Sequence, residues 1–436
     1  NEADKGVSYQ RFEINNSSSP QDICWDFRNS FRIMGRDLDI TKAKQITFVI
    51  ERNHVGDGVT NPDRGTIDFN RILFTLDKEE PEPATDDEWL DVLTLRTYQY
   101  FIDWSSRKPG SMDIPQDRSI FADLLTVGGI AFGPPAHIIA VERGWITREE
   151  AAKRVLNVLR ILDNPDSFGP EPVGRIGYKG WFYHFLGIDG KRKLNFDHNE
   201  TQEDEALNTV EISSIDSGLA LMGILAAQSY FTSDNSAETE IRNHAQAIYD
   251  RVDWPFLLDS KTQQFYLGLN PETRDHFTSP DPYGTGFYSD YTLYYYTDEG
   301  AIVSLLALGS TTHPVGAWVW CAWERKADDS ELIRTYPGAL FTYQFLRAFM
   351  DTNNLNLPAC PGEGAVNWYE NSRKAILSDI NYVEKNCPNI NTYGSDAWGL
   401  SAAEGPFDKY YAYGAPPISW ENKVPEDGTI TYYGMM

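Results

Sequence analysis

Acidic side chains gather in the long predicted connections of this chain and at the starts of predicted helices. Glu211 and Asp216 stand at the entrance of one apolar helix, and Glu299 opens another. Asp117 lies in an earlier connection, and Glu404 lies near the end of the chain. Two neighbouring carboxyl groups, one protonated and one ionised, can perform acid/base chemistry such as glycosidic bond cleavage. One acidic residue at a helix start is more often a cap than a catalyst, so several must meet in one place.

Aromatic residues accompany these carboxyls in the same connections. A flat ring can stack on the apolar face of a sugar while its polar edge stays hydrated, or it can pack into the protein core. Both interpretations stay open for each ring. The candidates are Trp181, Tyr183, Tyr288, Tyr291 and Tyr294 to Tyr296.

The remaining motifs exclude several other kinds of site. The seven histidines form no His-Glu-x-x-His motif, so we expect no catalytic metal and no required cofactor. The sequence contains neither a Gly-x-Ser-x-Gly elbow nor a phosphate-binding glycine loop. The acidic run at 197–205 lacks the ordered spacing of a calcium-binding loop, which favours a solvated loop and leaves a structural calcium as the alternative.

Charge and hydropathy limit the partners of the chain. It has 64 acidic and 38 basic side chains, a net charge of −26, which repels nucleic acid but not a neutral polysaccharide. No apolar run reaches the roughly 18 residues that span a bilayer, so we expect no membrane span. Four cysteines are too few for a disulfide framework, and a Cys360–Cys387 bridge stays open. The polar first residues contain no signal-peptide core, which is typical of a processed form.

The helices that must position the carboxyls alternate between two kinds. Amphipathic helices are half-buried, whereas helices that are apolar all round lie inside an assembly, so the alternation predicts an inner and an outer layer of helical hairpins. The predicted amphipathic helices are 89–105, 148–162, 236–251, 314–325 and 365–386, and the apolar ones are 134–143, 214–231, 299–309 and 338–351. A last short helix is predicted near Trp398.

The connections between these helices differ in length. Those that run from an amphipathic to an apolar helix are long, and in an up-down arrangement all of them emerge on one rim. The carboxyls and aromatic rings lie mainly in these long connections, so this rim is the predicted site. The segments do not supply a strand before each helix, which excludes a TIM barrel.

The chain divides into three parts. Residues 1–76 alternate polar and apolar residues in a pattern typical of β-strands, and we expect a small β-sandwich-like domain that binds sugar or is structural. Residues 77–88 are acidic, contain two prolines and read as a linker. Residues 89–436 form the mainly α catalytic domain.

Several segments of this last part resemble the bacterial glucoamylase-like family of glycoside hydrolases, which includes endo-β-1,2-glucanases. They are 178–186 (YKGWFYHFL), 211–217 (EISSIDS), 308–314 (LGSTTHP), 371–373 (NSR), 393–401 (YGSDAWGLS) and 413–417 (YGAPP). The resemblance runs from about Trp89 to the last residue. It implies an (α/α)6 toroid, bacterial export to the periplasm, the cell surface or the medium, and hydrolysis of a glucan or oligosaccharide with inversion.

The resemblance also implies roles for individual residues. Glu211 is the expected general acid and Asp117 its partner, with Glu299 and Glu404 in reserve. The residues expected to bind substrate are Arg118, Lys179, Trp181, Tyr183, Asp216, Tyr288 and Trp398. The family usually has Asp where Glu404 stands, and it continues with helices that complete the toroid. The alternation here gives five hairpins rather than six, so we expect either a chain trimmed before its last helices or the loss of one pair of helices.

Two other functions fit the same features. A polysaccharide lyase can use a similar helical toroid, with a Tyr or His base beside a group that neutralises a uronate. A catalytically silent glycan-binding protein would keep the aromatic groove and show no turnover.

Overall fold

The protein is mainly α-helical in the part that the computed structural model describes. The described residues are 7–9, 31–33, 85–105, 113–117, 124–164, 176–187, 190–193, 210–270, 275–277, 292–328, 330–335, 338–353, 360–361, 366–390, 392–395, 397–405, 409–415 and 428–431. The chain separates into two compact units, Asn1–Glu80 and Pro81–Met436. In the first unit, β1 (Val7–Tyr9) pairs antiparallel with β2 (Phe31–Ile33). The β-sandwich predicted for 1–76 lies otherwise outside the described residues.

The described part of the second unit contains eight α-helices. They are α1 (Asp86–Asp103), α2 (Gly133–Glu142), α3 (Arg148–Leu162), α4 (Ser214–Tyr230), α5 (Ser236–Asp250), α6 (Asp298–Gly309), α7 (Phe345–Phe349) and α8 (Trp368–Asn386). Most begin at a polar side chain that accepts a backbone N–H, as Thr147 does before α3. Helix α1 begins within the predicted linker 77–88, because Thr85 caps it.

The apolar and amphipathic helices form two layers over the stretch from α2 to α6. Helix α4 contacts α2 and α6, which are the other apolar helices, while α3 contacts α5. The pairs α2–α3 and α4–α5 are also in contact and connect the layers. This arrangement follows from the sequence pattern, since helices apolar all round must be covered by others.

Glycines on α4 allow its neighbours to approach closely. A Cβ added to Gly223 would lie 2.3 Å from the Ile130 carbonyl oxygen, in the 3₁₀ turn Gly128–Ala131. A Cβ at Gly218 would lie 2.9 Å from Val303 Cγ2 on α6. The Val303 side chain of α6 therefore packs directly on the backbone of α4 at Gly218.

The second half of the domain is less regular than predicted. The helix expected at 314–325 is a 3₁₀ segment, Ala317–Cys321, and the helix expected at 338–351 is a 3₁₀ turn, Leu340–Tyr343, followed by α7. A disulfide joins Cys321 to Cys360, and Cys387 is buried and takes no part in that bridge. The Cys360–Cys387 bridge is therefore wrong. The short helix predicted near Trp398 is instead a hairpin of β10 (Ala402–Gly405) and β11 (Lys409–Ala412).

Short antiparallel strands lie between the helices. β3 (Leu124–Thr126) pairs with β6 (Phe185–Gly187), and β4 (Gly177–Tyr178) pairs with β5 (Trp181–Phe182). β7 (Ile212–Ser213) pairs with β8 (Gly268–Asn270), which pairs with β9 (Asp275–Phe277). An isolated bridge between Tyr183 and Ile212 brings the β4–β5 pair next to the β7–β8–β9 sheet.

Candidate active site

Backbone hydrogen bonds bring three distant segments together at His184. The His184 N–H donates to the Glu211 carbonyl oxygen at 3.0 Å, and the Val127 N–H donates to the His184 carbonyl oxygen at 3.1 Å. Both backbone groups of His184 are therefore used in bonds to other segments. These bonds place the His184 side chain beside Glu211 and next to the turn that follows Val127.

The imidazole of His184 lies between two carboxyl groups. Its Nδ1 is 2.9 Å from Glu211 Oε1, and its Nε2 is 3.5 Å from Asp216 Oδ2. The ring stacks on Phe185 with a centroid distance of 3.9 Å and an interplanar angle of 14°. Only the protonated ring has an N–H on both nitrogens, so this arrangement suits an imidazolium.

Asp216 occupies the first turn of α4. Ser213 caps this helix by accepting the Asp216 N–H at 3.1 Å, and its hydroxyl donates to Asp216 Oδ2 at 2.6 Å. The same carboxyl oxygen faces His184. Asp216 thus belongs both to the helix start and to the carboxyl cluster, and the helix dipole favours its negative charge there.

Two further carboxyls reach the same place from other segments. Asp117 is held by a backbone bond from its N–H to the Leu124 carbonyl oxygen at 2.9 Å, and its charge raises the pKa of both His184 and Asp216. Glu299, in the first turn of α6, has its own pKa raised by Asp216 and lowered by His184, after the larger effect of burial. We call Asp117, Glu211, Asp216 and Glu299 the carboxyl cluster.

Charge and burial distribute protons unevenly over the cluster. Burial alone would lower the pKa of His184, but Asp216, Glu211 and Asp117 outweigh it and raise the pKa to about 9. Burial also raises the pKa of Asp216, with Glu211 and Asp117 adding to it. Burial and the neighbouring acids raise the pKa of Glu299 to about 8. At neutral pH the site therefore holds an imidazolium and a protonated Glu299 beside other carboxyl groups.

The carboxyl cluster is largely covered by protein, and solvent still reaches it. The side chain of His184 keeps 24% of its surface exposed and Asp216 keeps 14%, while Glu299 is half-buried. Burial is nevertheless the largest single influence on the pKa of all three groups. A group that solvent still reaches, yet that is surrounded by enough protein to lose hydration, lies in a recess. Such a recess can admit a small ligand.

Asp298, which precedes Glu299 in the chain, has a structural role. Asp298 is fully buried and accepts from the Tyr296 hydroxyl at 2.5 Å and from the Leu346 N–H at 3.0 Å. Consecutive helical residues point about 100° apart, so only one of two adjacent acids at the start of α6 reaches the cluster.

Two residues expected to bind substrate lie in the core, and a third pairs with an acid outside the carboxyl cluster. Trp181 is fully buried, donates from its indole N–H to the Asp253 carbonyl oxygen at 2.9 Å, and packs against Trp254. Tyr183 is also fully buried. Lys179 pairs with Asp253 at 3.1 Å in the turn between β4 and β5. Trp181 and Tyr183 thus lie in the core, which corrects their assignment to an open groove, while the role of the exposed Lys179 stays a prediction.

The other predicted positions are not tested in the same way. Trp398 is half-buried and packs between two core clusters. Glu404 lies in β10, and its side chain is outside the described part, as are Arg118, Tyr288 and the loop at 197–205. Their roles stay predictions.

Sequence reasoning missed His184 and Gly128. His184 stands inside a segment that was singled out, and its alternation with the buried Tyr183 could have placed it on the Glu211 side. A Cβ at Gly128 would lie 2.5 Å from Asp216 Oδ1. The two residues are 88 positions apart in the sequence, so no local sequence pattern predicts their contact.

The described residues contain neither a metal-binding cluster nor a helix that could span a membrane. No group of three or more His, Cys, Asp or Glu side chains in this part of the chain is arranged to hold a metal ion. No helix among the described segments has both the length and the apolar character that a membrane crossing requires.

Comparisons with known proteins show what this chain is similar to. Residues 290–436 match the model of a family described as "Putative glucoamylase". A Parabacteroides distasonis protein named exo beta-1,2-glucooligosaccharide sophorohydrolase (non-reducing end) is 23% identical over 352 residues, which are 74% of this chain and 43% of that protein. The chain thus spans less than half the length of this curated relative.

Solved structures show the same fold. An endo-beta-1,2-glucanase from Chitinophaga pinensis, in complex with sophorotriose and glucose, gives a TM-score of 0.60 at 19% identity, covering 77% of this chain and 75% of that one. A protein from Bacteroides uniformis described as "putative glucoamylase" gives 0.59 at 23% identity, covering 76% and 74%. With the family match to residues 290–436, these findings confirm the resemblance to the bacterial glucoamylase-like glycoside hydrolases.

Proposed function

We propose that this protein is a glycoside hydrolase that cleaves a β-1,2-linked glucan or a related oligosaccharide by carboxyl acid/base catalysis. The observation that carries the proposal is the meeting of the carboxyl cluster around His184. Its members come from three separate parts of the chain and His184 from a fourth, and burial and mutual charge raise the pKa of Asp216 and Glu299. Pairs of titratable groups with separated pKa values are typical of sites that need both an acid and a base.

Glu299 is the proton donor in this proposal. The pKa of Glu299, raised to about 8 by burial and by the nearby acids, keeps its carboxyl protonated at neutral pH. Its side chain is half-buried and so stays within reach of a bound sugar. A general acid needs both properties, a proton at the working pH and access to the glycosidic oxygen.

Glu211, the general acid expected from the sequence, fits a different role. Its Oε1 contacts His184 at 2.9 Å, and its Oε2 has almost no exposed surface. Neither oxygen is open to a sugar, so we assign Glu211 to holding His184. Asp117, which is less buried, is the proposed base that activates water. Inversion requires about 6.5–9.5 Å between acid and base.

The substrate class is supported by chemistry and by the relatives. The Parabacteroides distasonis relative is named for action on β-1,2-glucooligosaccharides, and the Chitinophaga pinensis protein is named as a β-1,2-glucanase. A neutral glucan suffers no repulsion from a chain of net charge −26. A uronate polymer would bring more negative charge to the carboxyl cluster, which disfavours the lyase alternative.

Two finer features belong to the same proposal. The inner and outer helix layers from α2 to α6 are the arrangement that an (α/α)6 toroid requires, and we infer that fold. The Cys321–Cys360 disulfide is typical of oxidising compartments, which supports export to the periplasm, the cell surface or the medium.

A comparison of three polymers tests the function. The protein is incubated with β-1,2-glucan, starch and a uronate polymer, and reducing ends and ultraviolet absorbance are followed. We expect new reducing ends from β-1,2-glucan alone, with the released anomer inverted by NMR. Unsaturated, ultraviolet-absorbing product would favour a lyase. Binding of β-1,2-glucan without any product would favour a glycan-binding protein.

A further inference from the structure

His184 is the basic group on which the carboxyl cluster converges. It contacts Glu211 and Asp216 directly, and the charge of Asp117 acts on it as well. In the other direction, His184 lowers the pKa of both Asp216 and Glu299. A single cation thus acts on all four acids, which would otherwise repel one another in a partly dehydrated recess.

The backbone and a neighbouring ring fix this imidazole. The backbone N–H of His184 donates to the Glu211 carbonyl oxygen, and its carbonyl oxygen accepts from the Val127 N–H. The Phe185 ring stacks against one face of the imidazole, with 3.9 Å between the ring centroids. The opposite carboxyl, Asp216, is held by the Ser213 hydroxyl at 2.6 Å. The ring therefore has little freedom to leave the two carboxyl groups.

We propose, on the basis of the hydrolase function above, that His184 is a positioning residue whose positive charge orients Glu211 and Asp216 and sets the pH range of the reaction. It does not deliver the proton to the sugar. It acts through the carboxyls, and a role of this kind has a kinetic signature that a purely structural role lacks.

The signature follows from the sign of the charge effect. Since His184 lowers the pKa of Asp216 and Glu299, loss of its charge raises the pKa of both. Glu299 is the proposed acid, and an acid that ionises at higher pH moves the alkaline limb of the rate profile upward. The alkaline limb should therefore shift to higher pH when the charge of His184 is lost.

Two neutral substitutions test this. His184→Asn keeps a donor near the position of Nδ1, and His184→Gln keeps one near Nε2. We expect kcat on β-1,2-glucan to fall by about 10²-fold in both while KM changes by less than about threefold. The alkaline limb of the pH profile should rise by about one unit. An unshifted alkaline limb in a folded variant would overturn the proposal.

His244 provides a matched control. Its side chain is also 24% exposed and also lies between two carboxyls, Asp163 at 2.6 Å and Glu240 at 3.3 Å. These contacts join α5 to the end of α3, and no group of the carboxyl cluster takes part in them. We expect His244→Gln to keep the wild-type kcat and pH profile. A shift equal to that of His184→Gln would show that the effect is not specific to the cluster.

A second measurement separates this inference from the proposed function. With seven histidines in the chain, ¹⁵N-histidine NMR can resolve each ring, and His184 is assigned by its loss in His184→Gln. We expect the pKa of His184 near 9, falling in Glu211→Gln and Asp216→Asn. If wild type cleaves no glucan but this titration is found, the hydrolase function fails and the charge role stands. A pKa at or below the ordinary value of about 6.5 overturns the role of His184 in either case.

Discussion

Gly128 lies against Asp216 so closely that no side chain fits between them. A Cβ at Gly128 would be 2.5 Å from Asp216 Oδ1. The turn after β3 and the first turn of α4 therefore meet at a single carboxylate, the same one that faces His184. The position of Asp216 depends on the absence of a side chain at residue 128.

This contact predicts the effect of a methyl group. We expect Gly128→Ala to displace Asp216 and to lower kcat on β-1,2-glucan by about 10- to 100-fold, since small misplacements of reacting groups are costly. The melting temperature should change little, because the clashing atom is the end of a side chain. Gly394→Ala is the control, since a Cβ there meets nothing within 4 Å. Equal activity of the two variants would contradict the prediction.

Glu299 should set the alkaline limit of activity. Its carboxyl is protonated below a pKa of about 8, so the rate should fall as pH rises through about 8. Glu299→Gln should lose about 10²- to 10⁴-fold on β-1,2-glucan. The same variant should still hydrolyse a β-glycosyl fluoride of sophorose, because fluoride departs without a proton. Loss of both activities would remove Glu299 as the acid.

Glu211→Gln should behave differently from Glu299→Gln. We expect it to lower turnover of both β-1,2-glucan and the glycosyl fluoride by about 10²-fold, as in the His184 variants, because Glu211 holds the His184 side chain at 2.9 Å and so affects the whole cluster. The fold should stay intact, as judged by circular dichroism and melting temperature. Near-normal turnover would exclude Glu211 from the mechanism, and retention of fluoride hydrolysis alone would return the acid role to it.

Asp298 should make stability depend on pH. Burial raises the pKa of Asp298 to about 7, above the roughly 3.9 of an unfolded aspartate. Its contribution to the free energy of unfolding is complete below about pH 4 and is lost as pH rises through about 7. We expect the melting temperature of wild type to fall from pH 5 to pH 8, and Asp298→Asn to show a smaller fall. The exposed Asp234→Asn should keep the wild-type slope. A slope unchanged in Asp298→Asn would refute this.

The disulfide should stabilise the domain. Cys321 and Cys360 are 39 residues apart, and closing a loop of that size contributes about 4 kcal/mol in the chain-entropy account. We expect reductant to lower the melting temperature of wild type by several degrees and to leave the Cys321→Ser/Cys360→Ser variant unaffected. Peptide mapping without reduction should recover the Cys321–Cys360 pair. A Cys360–Cys387 peptide in its place would contradict the structure.

The sequence predicted the helical frame well where periodicity decides the structure. Helices α3, α4 and α5 begin within one residue of their predicted starts, because capping side chains such as Thr147 and Asn235 mark them. The segment at 314–325 failed for a different reason. Its spacing fits a helix, but the chain is tied to Cys360 and the Trp320 and Trp323 side chains are buried, so tertiary contacts outweigh the helical pattern.

The acidic residues of the site were expected from their residue type, whereas the histidine between them was not. Asp117, Glu211 and Glu299 were expected on one rim, and the structure brings them together. His184 depends on the pairing of residues 126–127, 184 and 211, which is set by contacts between strands of two or three residues. Strands so short carry too little alternation to reveal which face each side chain occupies. The same shortness made Trp181 look like a groove residue.

The placement of His184 separates the chemistry from the rim. Because its backbone is bonded on one side to residue 127 and on the other to residue 211, the imidazole takes its position from short strands within the long connections and not from the loop segments around those strands. Insertions or deletions in those loops could reshape what the recess accepts while the proton-handling groups stay in register. Relatives of this chain could thereby diverge in the length of sugar chain they accept without rebuilding their charge arrangement.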